Sequence, residues 1–285
     1  MRPDDWHLTE DVDAFLARAG DFLRSRPDLH TMALTVTASR TSPPSPPSST
    51  VPLFGYLEES GEVRAAFHRG ARGLLSPTVL TPEQADSLAA RLAGLRPVLP
   101  GVSAEQHTSA AFAEAWRRRT GATPALRAQR VRLYRLGTPA PPDPHPEGRA
   151  RAVGERDHEH LVRWCRAFTA DVGEDFPADD ADWPATRFAA KRFTFWETPD
   201  GTPVSMAGAT PIVAGHVRVD PVYTPAPLRG RGYAGAVTAQ VGRAALAAGA
   251  HTVVLFADPA NPTSTALYQR LGYDPVAEFT VHDFT

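Results

Sequence analysis

The feature that most constrains the fold is a glycine-containing loop between a predicted strand at 216–222 and a long alanine-rich helix. The loop reads Arg229-Gly230-Arg231-Gly232-Tyr233-Ala234. Glycine leaves no side chain between the backbone and a ligand, and the first amides of a helix have no partners within the helix. Several N–H groups can therefore converge on one anion, such as a pyrophosphate. Taken alone, such a turn fits simple packing equally well, because many α/β proteins contain one.

A second block of residues follows downstream, and it makes a purely structural role for the glycine turn less favoured. Residues 252–257 are an apolar run that predicts a buried strand. Asn261 then precedes a short predicted helix. That helix ends in the run Leu267-Tyr268-Gln269-Arg270-Leu271-Gly272-Tyr273.

Together the two blocks resemble the GNAT superfamily of acyl-CoA-dependent N-acyltransferases. The pattern Arg229-x-x-Gly232-x-Ala234 after a strand is similar to the family signature Q/R-x-x-G-x-G/A. The second block resembles the last block of these enzymes, an Asn before a short helix that ends in Leu-Tyr-x-x-Leu-Gly-Tyr/Phe. The resemblance implies an α/β (α+β) fold, with a mixed, mostly antiparallel GNAT sheet flanked by helices.

The chain divides at a proline-rich stretch, 137–148, which is too stiff and donor-poor for a helix or a central strand. We predict a degenerate GNAT-like N-terminal domain at 1–136, a linker at 137–148, and a catalytic GNAT domain at 149–285. The first half resembles the N-terminal part of bacterial proteins in which a degenerate half precedes a competent one. Its comparable junction, predicted at 99–105, lacks the arginine and the second glycine, so we expect one acyl-CoA site in the chain.

The resemblance implies acetyl-CoA as co-substrate. It assigns backbone contacts with the pantetheine arm to Val222 and Thr224, and a charge-assisted bond to phosphate to Arg229. Arg231 is expected to be merely nearby, and Asn261 both caps its helix and contacts the cofactor. The full set of predicted cofactor residues is Val222, Tyr223, Thr224, Leu228, Arg229, Gly230, Arg231, Gly232, Tyr233, Ala234, Asn261, Ser264 and Tyr268.

Three residues are predicted to be catalytic. Tyr268 is placed by the resemblance to donate a proton to the departing thiolate, and a buried packing aromatic is its alternative. Asp171 is our first candidate for amine recognition and Glu174 the second, because the acidic segment 171–180 follows a helix that borders the acceptor site in the family. A solvated acidic loop is the alternative for that segment. Tyr223 is expected to pack, with a hydroxyl that could face the acceptor, and an N–H near Val222 could polarise the thioester carbonyl.

Composition narrows the partners. The 285 residues carry a formal net charge of −2, so a nucleic-acid partner is not expected. The lone cysteine, Cys165, lies on a predicted helical stripe and indicates a packed thiol, no disulfide and no cysteine-based metal site. Without a signal peptide or an apolar run of ~20 residues, a cytoplasmic protein with no membrane partner is expected. Lys191 is the only lysine, which indicates a GC-rich bacterial genome.

Hydrophobic periodicity and helix-capping residues predict the secondary structure. An amphipathic helix is predicted at 9–26 with Thr9 as its cap, a strand at 32–37, and a capped helix from Thr81. Further predictions are a short strand at 97–99, a strand at 128–136, a helix from 155 and a helix at 183–192. A hairpin is predicted from strands at 193–198 and 204–212.

Three functions fit the sequence. The leading one is an N-acetyltransferase that moves an acetyl group from acetyl-CoA to a primary amine of a small molecule, a metabolite or an antibiotic, by direct attack in a ternary complex. The second is a protein or peptide N-acetyltransferase, and the third a non-catalytic acyl-CoA-binding regulatory protein. The acceptor, the acyl chain length, the general base, the choice between monomer and homodimer, and the purpose of the N-terminal half do not follow from the residues.

Overall fold

The structure is a computed structural model that describes residues 5–40, 53–70, 73–95, 99–174, 176, 183 and 186–285. The chain forms two compact units. The first comprises Met1–Leu133, Asp258–Ala260 and Val276–Thr285, and the second comprises Tyr134–Ala257 and Asn261–Pro275.

The first unit packs helices against mostly antiparallel strands. Its helices are α1 (Val12–Ser25), α2 (Thr31–Arg40), α3 (Pro82–Leu95) and α4 (Gln106–Thr120). Its strands are β1 (Trp6–Thr9), β2 (Leu53–Glu59), β3 (Glu62–Arg69), β4 (Leu75–Pro77), β5 (Gly101–Glu105) and β6 (Pro124–Leu126). Strands β1 to β4 pair antiparallel in chain order, and β4 pairs parallel with β5.

Local signals fixed two helix starts in this unit. The capping box at the start of α3 is confirmed: the Thr81 N–H donates to Gln84 Oε1 at 3.0 Å, and the Gln84 N–H donates to Thr81 Oγ1 at 3.2 Å. For α1 the predicted cap, Thr9, is wrong. The Asp11 carboxylate accepts from the amides of Asp13 and Ala14 at 2.8 and 3.1 Å and so begins the helix two residues later.

The predicted strand at 32–37 is wrong, because these residues belong to helix α2. Threonine and apolar residues favour strands, yet here the threonine hydroxyls bond within the helix. Thr35 Oγ1 donates to the Thr31 carbonyl and Thr37 Oγ1 to the Ala33 carbonyl, four residues back in each case. Burial of Leu34, Thr35 and Thr37 on the unit's core then outweighs their β propensity.

The junction predicted at 99–105 is also misplaced. Residues 97 and 98 lie outside the described residues, and 101–105 form strand β5 instead of a turn and a helix start. Strand β5 pairs with the end of β13 (Tyr273–Phe284), whose residues are far away in sequence. A Cβ on Gly101 would lie 2.4 Å from the His282 carbonyl oxygen, so glycine permits this close pairing.

The second unit also has a mostly antiparallel sheet flanked by helices. Its helices are α5 (His158–Asp171), α6 (Tyr233–Ala247) and α7 (Pro262–Arg270). Its strands are β8 (Arg149–Ala152), β9 (Arg192–Glu197), β10 (Pro203–Ala209), β11 (His216–Tyr223) and β12 (Thr252–Ala257). Strands β8 to β11 pair antiparallel in chain order, and β11 pairs parallel with β12. Strands β7 (Val131–Leu136) and β13 contribute residues to both units.

Helix α6 packs on this sheet through an apolar stripe. Val237 and Val241 are buried with Val217, Val219 and Leu255 of the strands. Ala245 is buried on the same stripe, whereas its neighbour Ala244 is exposed. The predicted helix at 183–192 is wrong where it is described, because 186–190 form turns before β9 begins; 184 and 185 lie outside the described residues.

Cys165 is fully buried in a second cluster of this unit, among Leu161, Trp164 and Phe195. Burial raises the pKa of its thiol to about 12, so the thiolate is not formed at neutral pH. A packed thiol is therefore what the structure contains.

The limits of the predicted domains stay predictions. Residues 137–148 lie within the second compact unit, where the Gly137 N–H donates to the Gly272 carbonyl at 2.8 Å and the Ala140 N–H to the Leu271 carbonyl at 3.1 Å. The last ten residues, Val276–Thr285, belong to the first unit. In the described ranges no helix combines the length and apolarity needed to cross a bilayer, and no group of His, Cys, Asp or Glu in those ranges could hold a metal ion.

Candidate functional site

The glycine loop lies where strand β11 passes into helix α6. After β11 the chain makes a single 3-10 turn at Ala226–Leu228, in which the Leu228 N–H donates to the Pro225 carbonyl at 2.8 Å. Gly230 and Gly232 then adopt φ values of +77° and +81°. Residues other than glycine rarely adopt this conformation, so both glycines are needed for the path of the chain.

The loop leaves space for a ligand and amides that can bind one. A Cβ on Gly230 would have no neighbour within 4 Å. Gly232 is the residue that precedes α6 and offers no side-chain cap, so the amides of the first turn, from Tyr233 onward, depend on water or a ligand. The positive end of the helix dipole adds to the attraction of an anion at this point.

Helix α4 of the first unit begins differently. There the Glu105 carboxylate accepts from the His107 and Thr108 amides, each at 3.1 Å. A carboxylate already occupies the place that a phosphate would take, and its charge repels a second anion. The junction that corresponds to the glycine loop in chain order precedes α3, because α3 joins the parallel pair β4 and β5 as α6 joins the parallel pair β11 and β12. There Thr81 Oγ1 caps the Gln84 amide at 3.2 Å, and Pro82 at the first helical position has no N–H to offer a ligand.

Strand β11 separates from one neighbour just before the loop. Its parallel pairing with β12 runs from His216–Thr252 to Val219–Leu255, whereas its antiparallel pairing with β10 continues to Met206–Tyr223. The β10 pairing contains a bulge at which Asp220 and Pro221 face Gly208. A Cβ on Gly208 would lie 2.8 Å from the Asp220 carbonyl oxygen, so the bulge needs a glycine there. Val222, a predicted cofactor contact, lies on the part of β11 that is no longer paired with β12. Thr224, the other predicted contact, follows directly after β11.

The arginine of the loop is held by two oxygen atoms. Arg229 Nε donates to the Thr224 carbonyl at 2.9 Å, and Arg229 Nη2 donates to Asp171 Oδ2 at 2.5 Å. The side chain of Arg231 bonds the Pro227 carbonyl at 3.3 Å. Asp171, predicted for the amine, and Arg229, predicted for the phosphate, thus form one ion pair.

A network of charged side chains lies close by and was not predicted. Lys191 and Arg187 both donate to the Asp220 carboxylate, Arg187 at 2.5 Å, and Arg187 also donates to Glu174 at 3.0 Å. The Lys191 side chain is only 5% exposed. Burial lowers the pKa of Lys191 to about 8, against the opposing effect of Asp220.

Asp220 is the centre of this network. Burial would raise its pKa, but Lys191, Arg187 and Arg218 together hold the pKa of this carboxyl well below its usual range. Asp220 is therefore ionised under all ordinary conditions. Two sequence signals pointed to it: a charged residue within an apolar strand, and the only lysine of the chain.

Tyr268 lies on α7 with its ring buried, 8% exposed. Its ring centroid lies 6.0 Å from that of Tyr273 and 6.4 Å from that of Tyr134. Burial, helped by the Asp220 carboxylate, raises the pKa of Tyr268 to about 12. The phenol is thus fully protonated at neutral pH and able to donate. Its predicted alternative, a packing role, is compatible with this burial.

Helix α7 begins as its sequence indicated. Asn261 Oδ1 accepts from the Ser264 amide at 3.1 Å, and Pro262 occupies the first helical position. This contact fixes the direction in which α7 presents Tyr268. The cap uses the Asn261 side-chain oxygen, and the predicted cofactor contacts of Asn261 and Ser264 stay predictions.

Tyr223, the last residue of β11, contacts helix α5. Its ring lies edge-on to Trp164, with 5.9 Å between ring centroids. Burial and the Asp171 carboxylate raise its pKa, and the Arg229 charge opposes them. The predicted packing role is consistent with this contact, and the hydroxyl senses both charges of the Asp171–Arg229 pair.

Sequence comparison identifies the class of this unit. Residues 145–273 match the family model described as the acetyltransferase (GNAT) family. These residues, somewhat less than half of the chain, are therefore similar to a GNAT acetyltransferase domain, and acetyl-CoA is the co-substrate of that family. The curated proteins contain no match to the chain.

Solved structures show the same fold over the length of the chain. A GCN5-related N-acetyltransferase from Sphaerobacter thermophilus has a TM-score of 0.56 at 17% identity, with 99% of this chain and 96% of that chain covered. A GNAT-family acetyltransferase from Colwellia psychrerythraea has a TM-score of 0.61 at 9% identity, with 98% and 99% covered. A tandem GNAT protein from the clavulanic acid biosynthesis pathway has a TM-score of 0.58 at 12% identity, with 98% of each chain covered.

Proposed function

We propose that this protein is an N-acetyltransferase that moves an acetyl group from acetyl-CoA to a primary amine of a small molecule. One observation carries the proposal: a helix without a side-chain cap begins behind two glycines of positive φ, in the same unit as a buried, protonated tyrosine. A cytoplasmic location, a bacterial origin and a monomeric or homodimeric state belong to the same proposal.

In this proposal the amides of Tyr233 and Ala234 hold the pyrophosphate, and Gly230 and Gly232 let the backbone approach it. Leu228 and Arg231 border the same loop. The pantetheine arm lies along Val222 and Thr224, where β11 is no longer paired with β12. Acetyl-CoA supplies an activated thioester at the end of that arm.

The reaction needs no covalent acyl-enzyme. The neutral amine attacks the thioester carbonyl carbon, the carbon–sulfur bond breaks, and the thiolate takes the Tyr268 proton. A backbone N–H near Val222 stabilises the oxyanion in between. The proton released by the amine returns the phenol to its starting state, so the products are the amide and free CoA.

Acetyl-CoA binding tests the loop directly. Gly232→Val is expected to lower acetyl-CoA affinity, because its branched side chain projects beside the helix amides. Gly249→Val is the matched control, since Gly249 follows the other end of α6 with φ +94°, and a Cβ there would have no neighbour within 4 Å, whereas one on Gly232 would make only an ordinary contact with Pro146 at 3.5 Å. Both variants strain a positive φ, yet only the first faces the proposed phosphate site. Equal calorimetric affinities of two folded variants would contradict this placement.

A panel of amines with acetyl-CoA, read by release of free thiol, tests the chemistry. Turnover of small amines is the expected result. Turnover of peptides alone would favour the protein N-acetyltransferase, and acetyl-CoA binding without any turnover would favour a regulatory acyl-CoA-binding protein.

A further inference from the structure

The ion pair between Arg229 and Asp171 joins two elements with different predicted tasks. Arg229 belongs to the cofactor loop, and Asp171 is the last residue of α5. The pair is direct, with 2.5 Å between Arg229 Nη2 and Asp171 Oδ2. A second bond, from Arg229 Nε to the Thr224 carbonyl at 2.9 Å, orients the guanidinium toward Asp171.

The pair can exchange partners because it is not locked by packing. The side chains are 53% and 49% exposed, so either can turn toward a ligand without unfolding its element. Exposed ion pairs of this kind contribute little to stability, so a phosphate can compete with the carboxylate for the guanidinium. Glu174 and Arg187, by contrast, are tied to the buried network around Asp220.

Tyr223 shows on which side a released carboxylate would act. Burial, and then the Asp171 carboxylate, raise the pKa of its phenol, while the Arg229 charge opposes them, so the phenol lies within electrostatic range of both. If Arg229 turns to a phosphate, the negative charge of Asp171 beside Tyr223 is no longer neutralised. A cation in that place would then be attracted, and the ammonium form of an amine is such a cation.

We propose that acyl-CoA and Asp171 compete for Arg229, so that cofactor binding releases the Asp171 carboxylate to bind the ammonium form of the acceptor. The inference rests on the proposed function. By linkage, a cationic acceptor that binds Asp171 raises the affinity of the chain for acyl-CoA by the same factor. Asp171 is then a positioning residue that couples the two substrates.

Titration with acetyl-CoA alone, without an acceptor, tests this. Asp171→Asn is expected to tighten acetyl-CoA binding about two- to fivefold, since it removes the competitor for Arg229. Arg229→Gln is expected to weaken binding, and the double variant Asp171→Asn/Arg229→Gln should match Arg229→Gln alone. Glu159→Gln removes the same charge at the opposite end of α5, where Glu159 is exposed, and is the control, with an affinity expected to stay that of the wild type.

The outcomes separate this inference from the proposed function. Acetyl-CoA binding that Asp171→Asn leaves unchanged or weakens would overturn the competition and leave the N-acetyltransferase standing. An equal gain in Glu159→Gln, or a gain that persists in the Arg229→Gln background, would reduce the effect to net charge and overturn it too. A wild-type protein that binds no acetyl-CoA would overturn both proposals.

Discussion

Replacing Asp220 by asparagine would leave a buried lysine without its counter-charge. Lys191 has a pKa of about 8 in the folded protein against 10.5 for the free group, so burial already disfavours its charged form by ~3.4 kcal/mol. In Asp220→Asn this penalty grows until Lys191 gives up its proton. At a given pH the penalty therefore cannot exceed the free energy of deprotonating a free lysine.

This limit sets the size of the effect. At pH 7 the largest possible penalty for Lys191 is ~4.8 kcal/mol, which is ~1.4 kcal/mol more than in the wild type. At pH 6 the largest penalty exceeds that of the wild type by ~2.7 kcal/mol. The lost, partly exposed contact with Arg187 adds ~0.5 kcal/mol. Above pH 8 Lys191 is already neutral in the wild type, so at pH 9 only the Arg187 contribution remains. Asp220→Asn should thus cost about 2 kcal/mol at pH 7 and about 3 at pH 6.

The sign follows from proton binding. A depressed pKa in the folded state means that the unfolded chain binds more protons between about pH 8 and 10.5, so wild-type stability rises with pH over that window. In Asp220→Asn the pH range over which stability rises extends to lower pH, because Lys191 gives up its proton at a lower pH. Urea unfolding followed by tryptophan fluorescence at pH 6, 7 and 9 measures the free energy of unfolding. Asp274→Asn, at an exposed position, is the control. Lys191→Met in the Asp220→Asn background should restore stability at pH 6. A cost that is the same at pH 6 and pH 9 would refute the reasoning.

Three further results are expected. Tyr268→Phe should lower turnover by about 10²–10⁴-fold with acetyl-CoA affinity nearly intact, because the hydroxyl acts when thiolate charge develops; steady-state kinetics with wild-type rates would remove the acid role. Calorimetry of the intact chain should give one acetyl-CoA per chain, because Thr81 caps the start of α3 and Pro82 has no N–H there; a count of two would mean that the first unit is a working site. Asp157 has a pKa lowered to about 2, chiefly by Arg151, so its stabilisation is present above pH 3.8 and lost as the pH falls toward 2; acid unfolding of Asp157→Asn should show a shallower loss, and an unchanged slope would contradict this.

Signals that act over a few residues were predictable from the sequence. The loop at 229–234 and the cap at Asn261 were placed correctly, because glycine conformation and helix capping are decided by neighbours in the chain. The helix α5 and the hairpin of β9 and β10 followed from periodicity for the same reason.

Signals that depend on distant partners were not predictable. Gly101–Glu105 reads as a turn until β13 pairs with it, and no local pattern predicts a strand at 274–285. Met32–Thr37 reads as a strand until its threonine hydroxyls donate to backbone carbonyls four residues back within a helix. The Asp220–Lys191 pair depends on a bulge in the register of β10 and β11, which no local pattern encodes.

The single, buried lysine has a chemical consequence if the protein binds acetyl-CoA as proposed. Acyl thioesters react slowly with exposed, neutral lysine amines, and most proteins offer many of them. In this sequence the only lysine is 95% shielded and ion-paired with Asp220. The Lys191 amine is therefore protected from acetylation by acetyl-CoA. Amine-reactive labels are expected to leave Lys191 unmodified for as long as the second unit stays folded.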